Sequence, residues 1–169
     1  SMYRRLDNPV LEDIVYKSRT KYGCEMFSSK KGLKEVFRLA NEGGMLGVLS
    51  DQFTQQGLWI PYFGKVTGTT PLPALICKRC KGRGTLVAVG NRNTGLGKWE
   101  IDLGNKVSLP EDANDIAATT YAVNQALEQV QSRSIIDGFW MHHRWKATRC
   151  FAPDPSEEQN AIIRQYARL

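Results

Sequence analysis

The chain has 169 residues, 41% hydrophobic and 24% charged, the proportions of one ordinary globular domain, which exclude wholesale disorder and fibrous repeats. No apolar stretch nears the roughly 20 residues of a membrane-crossing helix, and Ser1-Met2-Tyr3-Arg4-Arg5 turns polar too early to read as a signal peptide. With 23 basic residues against 17 acidic the net charge is +6, which favours an anionic partner such as phosphate, nucleic acid or an acidic membrane face.

In chain order, Asn8-Pro9 opens a predicted helix, with Asn8 as cap, Pro9 at the first position, and Val10, Leu11, Ile14 and Val15 at helical spacing. A short strand is expected over 24–27. A second amphipathic helix follows through Leu33, Val36, Phe37 and Ala40, with Ser28 or Ser29 as its cap. Gly43-Gly44 ends it, and Met45-Leu46-Gly47-Val48-Leu49 reads as a buried strand. Alternating helices and strands predict an α/β fold, a mixed β-sheet flanked by helices.

Residues 58–63 are expected to be extended, with Pro61 confining them to an edge or a connection. Pro71 and Pro73 open a helix through Leu75, Ile76 and Cys77 that ends near Gly82. Strands over 86–89 and 99–103 pair around Gly95-Leu96-Gly97. The longest helix is predicted over 112–131, with Ile116, Tyr121, Val123, Leu127 and Val130 mostly inward. Beyond Ala152-Pro153-Asp154-Pro155 a terminal helix is expected within 153–169. No repeat or composition break divides the sequence, so 1–169 reads as a single domain.

Four cysteines, Cys24, Cys77, Cys80 and Cys150, are too scattered for a disulfide scaffold and are expected as free thiols in a reducing compartment. Cys77-Lys78-Arg79-Cys80 is a lone CxxC late in a helix. Zinc wants a second ligand pair, and a redox pair wants a helix start, so neither a metal nor a cofactor is expected. The basic run Lys78, Arg79, Lys81 and Arg83 carries no interleaved aromatics, which argues against nucleic acid and for a solvated helix end.

Both histidines, His142 and His143, fall within Trp140-Met141-His142-His143-Arg144-Trp145-Lys146-Ala147-Thr148-Arg149. Adjacent histidines diverge in helix or strand, so one at most faces a site. Two readings of the stretch stand. Its tryptophans and cations suit a surface that holds phosphate through Arg144, Lys146 and Arg149, also at a membrane interface; equally, the aromatics pack a core while the cations face water. Asp51-Gln52 follows the predicted 45–49 strand, where α/β folds place working side chains, so the pair either orients a reacting group or simply caps the turn that follows, and Thr69-Thr70-Pro71 begins the next helix, where hydroxyls cap and anions dock.

The order of these blocks resembles the bacterial lipid A biosynthesis acyltransferases, the late lauroyl and myristoyl transferases. Tyr3-Arg4-Arg5-Leu6-Asp7-Asn8-Pro9 is similar to their Tyr-Arg-Pro-x-x-Asn-Pro block, and Ser50-Asp51-Gln52 to their Pro-Asp-Gln or Pro-Asp-His turn. Trp59-Ile60-Pro61-Tyr62-Phe63-Gly64 resembles Phe-x-Pro-Phe-Phe-Gly, Thr69-Thr70 the Thr-Thr before a helix, and Trp140-Met141-His142-His143-Arg144-Trp145-Lys146 the closing Trp-Leu-His-Arg-Arg-Trp-Lys signature. Ser50 and Arg5 stand where the family has proline, and Ala147-Thr148 lengthens the Lys-to-Arg spacing by one residue.

The resemblance implies a lysophospholipid-acyltransferase-like fold and transfer of a fatty acyl chain from acyl carrier protein to a hydroxyl of a phosphorylated lipid A precursor. It implies no cofactor, and a place on the cytoplasmic face of the bacterial inner membrane, in contact with the membrane surface. It places Arg4 and Asp51 at the reacting cleft, and Gln52, Thr69, Thr70, His142, Arg144, Lys146 and Arg149 around the substrate. The family's His-x4-acid dyad precedes the Tyr-Arg block, and neither His142 nor His143 begins such a motif. The expectation is therefore of an N-terminally truncated relative, inactive alone, with exposed apolar surface that promotes self-association.

Overall fold

The structure, a computed structural model, describes residues 1–3, 5–28, 32–81, 83–112, 114–138 and 142–145. Four α-helices and three two-stranded ladders are found among them, one ladder parallel and two antiparallel, which makes the fold mixed α/β. The expected terminal helix within 153–169 lies outside the described residues. No helix among the described residues is long and apolar enough to cross a membrane. The chain forms two compact units, residues 1–48 and 49–169.

In the first unit β1 (Met2–Tyr3) pairs in parallel with β2 (Phe27–Ser28). Helix α1 (Pro9–Thr20) starts as expected. Asn8 Oδ1 accepts from Val10 N–H at 2.9 Å and Leu11 N–H at 3.2 Å, and Pro9 needs no donor partner at the first position. Its apolar stripe, Val10, Leu11 and Ile14, is exposed. Helix α2 (Gly32–Asn41) buries Val36 and packs on β2. Gly43, with φ +83°, ends the helix region in the left-handed conformation that glycine takes freely.

The buried strand expected over 45–49 does not form. Residues 44–50 join no ladder, and Met45 is fully exposed, with only Ser50 buried. Apolar character makes a strand only where a neighbouring strand receives its backbone groups, and none among the described residues does.

The second unit holds the larger core. Strands β3 (Leu58–Tyr62) and β4 (Lys65–Thr69) form an antiparallel hairpin. Phe63 (φ 49°) and Gly64 (φ 71°) make the turn, both left-handed, as a two-residue type I′ connection requires. Pro61 is tolerated because, among the described residues, β3 has a ladder partner on one side only. Helix α3 (Leu72–Arg79) is opened by its prolines and stops three residues short of Gly82, with the Cys80 N–H closing on Ile76 O.

Strands β5 (Val87–Gly95) and β6 (Lys98–Lys106) form a hairpin longer than the predicted pair. A tight turn over Leu96 and Gly97 (φ +68°) lets the ladder run to its end. Helix α4 (Ile116–Arg133) begins four residues later than expected. Asp115 Oδ1 caps it by accepting from Ala118 N–H at 2.8 Å, while Asp112 turns its carboxylate onto Asn114 N–H instead. Helix α4 packs on β3, α3 and the β5–β6 hairpin, enclosing Trp59, Ile60, Ala74, Cys77, Ala88, Val107, Val123 and Val130.

Candidate functional site

The second unit gathers four of the sequence blocks around one guanidinium. Arg144 is only 3% exposed, so its charge must be satisfied by the protein. Nη2 donates to Thr69 Oγ1 at 3.0 Å, and Nη1 donates to the Gln52 carbonyl. The guanidinium carbon lies 4.9 Å from the centre of the Tyr62 ring, whose face attracts a cation. In return the Arg144 carbonyl accepts from Thr67 Oγ1. Nε is buried with no hydrogen-bond partner among the described residues.

The neighbours of Arg144 extend the same network. His142 Nε2 accepts from Phe53 N–H at 2.9 Å. A ring nitrogen that accepts carries no proton, so Nε2 is committed to the 52–53 backbone and is no ready base. Trp145 Nε1 donates to Tyr62 O at 3.3 Å, and the two rings lie 6.1 Å apart. His143, between them, is exposed.

Thr69 is fully buried at the end of β4, and its hydroxyl is shared. It accepts from Arg144 and from Asn124 Nδ2 (3.2 Å) and reaches Thr67 O at 3.4 Å. Asn124, on α4, also donates to Pro61 O at 2.8 Å. Thr70 is half-buried, and its Oγ1 accepts from the N–H of Leu72, the first residue of α3, at 3.3 Å.

Electrostatics follow burial. Burial pushes the Tyr62 hydroxyl up to about 12; Arg144 opposes the rise, while Asp51 and Glu128 add to it. Burial likewise lowers the pKa of Arg144, against the pull of Tyr62 and Asp51. Asp51, half-buried on the bend, is therefore close enough to act on both.

Of the predicted site residues, Gln52, Thr69, His142 and Arg144 join one network, Asp51 acts on it through its charge, and Thr70 accepts from the first N–H of the adjoining helix. Arg4, Lys146 and Arg149 lie outside the described residues. The sequence reading gave no site role to Asn124, Thr67, Tyr62 or Glu128, whose carboxylate accepts from Phe63 N–H at 2.8 Å at the strained turn. Asn124 could have been found as an amide one residue from Val123 and three from Leu127 on a predicted inward face. A cavity of about 370 Å³ lies elsewhere, between the β5–β6 hairpin and the end of α4. Its charged residues are matched, Arg92 with Glu100 and Arg133 with Asp102, and it contains no predicted site residue.

Among individually curated proteins, none matches this chain. The model of one protein family, described as bacterial lipid A biosynthesis acyltransferase, matches residues 1–147. That span runs from the Tyr-Arg block into the closing signature, and its later blocks are the ones that meet around Arg144. By this match over most of its length, the chain belongs to the bacterial lipid A biosynthesis acyltransferase family.

Proposed function

We propose that the chain serves the transfer of a fatty acyl group from acyl carrier protein to a hydroxyl of a phosphorylated lipid A precursor at a membrane surface. In that chemistry a histidine oriented by an acid takes the hydroxyl proton, the oxygen attacks the thioester, and donors stabilise the oxyanion. The 169 residues contain no His-x4-acid motif. Their part is thus to bind and position, and alone they do not turn over.

The observation that carries this reading is the double hold of the closing signature on the 52–53 backbone, through Arg144 to Gln52 O and His142 to Phe53 N–H. It fixes the bend that bears Asp51. Arg144 is then a positioning residue, with its fork turned inward. Phosphate contact falls to Lys146 and Arg149, Gln52 and Thr70 border the acceptor, and Arg4 stabilises negative charge. The net charge of +6 suits both an acidic carrier protein and a phosphorylated lipid. The exposed Val10, Leu11 and Ile14 favour self-association, which sedimentation over a concentration series measures.

The test is acyl transfer from acyl carrier protein beside precursor binding. The 169-residue chain is expected to bind the phosphorylated precursor without turnover, and to transfer when a His-x4-acid segment is joined upstream. Turnover by the 169 residues alone overturns the positioning role, and no affinity for the precursor overturns the substrate. Binding without turnover even in the joined chain identifies instead a non-catalytic anion- or lipid-binding module.

A further inference from the structure

Three buried side-chain atoms have no hydrogen-bond partner among the described residues: Thr119 Oγ1, Asn124 Oδ1 and Arg144 Nε. Two of them belong to side chains that meet at the Thr69 hydroxyl. A further departure lies next to Tyr62, where Phe63, and not a glycine, takes the left-handed φ of 49°. A fully buried amide with an orphaned oxygen carries a desolvation penalty that an aliphatic side chain of similar size would not. Such departures gathered in one place mark a site shaped by function and not by stability alone.

Asn124 and Glu128 lie one turn apart on the same face of α4. Asn124 Nδ2 donates to Pro61 O at 2.8 Å, and Glu128 Oε1 accepts from Phe63 N–H at 2.8 Å. The two therefore grip the backbone on either side of Tyr62, whose ring centre lies 4.9 Å from the guanidinium carbon of Arg144. Asn124 reaches Arg144 by a second route, through Thr69 Oγ1 at 3.2 Å. Both routes end on the residue that donates to Gln52 O and so holds the bend bearing Asp51.

We propose that Asn124 and Glu128 are positioning residues for the acyl acceptor: they fix Tyr62 and Thr69, these aim Arg144, and Arg144 sets the Asp51-Gln52 bend against the substrate. Neither side chain touches the substrate itself. The identity of that substrate rests on the acyl-transfer reading above, whereas the relay rests on geometry alone. Glu128 works as an acceptor, so its charge is dispensable. Asn124 works as a donor to two oxygens, which no aliphatic side chain replaces.

The 169-residue chain is tested with two readouts: affinity for the phosphorylated lipid A precursor in detergent, and hydrogen exchange of the Phe53 amide, which donates to His142 Nε2. Asn124→Leu and Glu128→Leu should each weaken precursor binding about tenfold and quicken Phe53 exchange about tenfold. Glu128→Gln keeps the acceptor and should match the unaltered chain in both. Val123→Ala opens a cavity beside Asn124 without touching the relay, and should leave both readouts nearly unchanged at a urea midpoint lowered as far as that of Asn124→Leu. Unchanged Phe53 exchange in Asn124→Leu overturns the proposal, as does an equal change in Val123→Ala, or a loss in Glu128→Gln as large as in Glu128→Leu. Undiminished affinity with quickened exchange also overturns it, because the bend then does not matter to the substrate. If Asn124→Leu does not fold, the half-buried Glu128 and its two variants decide. If even the unaltered chain ignores the precursor, the substrate reading fails, and Phe53 exchange still decides the relay.

Discussion

Thr69 Oγ1 accepts from Arg144 Nη2 at 3.0 Å across a separation of 75 residues, and the same oxygen accepts from Asn124 on α4. One hydroxyl therefore joins the β3–β4 hairpin, the long helix and the closing signature. Thr69→Val keeps the shape and deletes the acceptor, leaving two buried donors unmatched. It should cost about 2–3 kcal/mol, against about 1 kcal/mol for Thr69→Ser, which keeps the oxygen. Urea unfolding midpoints at unchanged slope measure both.

Arg144 serves two acceptors through separate arms of its fork, and a lysine ammonium cannot span them while lying over Tyr62. Arg144→Lys is expected to behave as a loss and not a conservative change, destabilising by about 3 kcal/mol. Equal stability of Arg144→Lys and the unaltered chain in urea would show the fork to be dispensable.

Tyr62 gives a pH signature. Its hydroxyl has an ordinary pKa of 10.0 and is raised to about 12 in the fold. Between those values the unfolded chain has lost the proton and the folded chain keeps it, so stability falls as pH rises through the window. The fall is complete above about 12 and amounts to about 3 kcal/mol at most. Tyr62→Phe should show a shallower decline over pH 10–12 than the unaltered chain when midpoints are compared at each pH.

Gly90 and Gly104 both face Val130. A Cβ on Gly90 would overlap Val130 Cγ1, and one on Gly104 would overlap Cγ2 and also approach Ala88 O at 2.8 Å. Gly90→Ala should destabilise by about 1–3 kcal/mol, and Val130→Ala should absorb most of that cost in a double-mutant cycle. Gly104→Ala should not be rescued, because backbone still blocks it. Thermal or urea unfolding of the four combinations decides.

Cys77 and Cys80 are buried, and burial, with Cys80 nearby, raises the Cys77 thiol; Cys24 is exposed. Under native conditions iodoacetamide should label Cys24 promptly and leave Cys77 and Cys80 until the chain unfolds. Peptide mass mapping over time reads the order.

Much of this was legible where a local signal has a local consequence. Asn8-Pro9 capped α1, the Gly95–Gly97 turn closed its hairpin, and Thr69-Thr70-Pro71 preceded a helix. The full length of β5 was hidden because Gly-Asn-Arg-Asn-Thr-Gly has little strand propensity, and only a two-residue turn carries the ladder through it. The run over 45–49 misled because apolar residues cannot say whether a partner strand exists. At the candidate site the family blocks pointed to Gln52, Thr69, His142 and Arg144. What they could not give was the direction in which Arg144 points, since that depends on Tyr62 and on Asn124 from a helix outside every block.

The bonds to Arg144 and His142 span 75 to 92 residues. On the ribosome, the β3–β4 hairpin therefore emerges long before the donors that complete it. Until residues 142–145 are made, the Thr69 hydroxyl lacks Arg144 and the Gln52 carbonyl must be served by water, and the hairpin cannot close its interior. Non-local closure of this kind is slow. A premature stop codon just ahead of residue 142 should thus yield a product that encodes every helix and strand found among the described residues but has a wet, protease-sensitive centre.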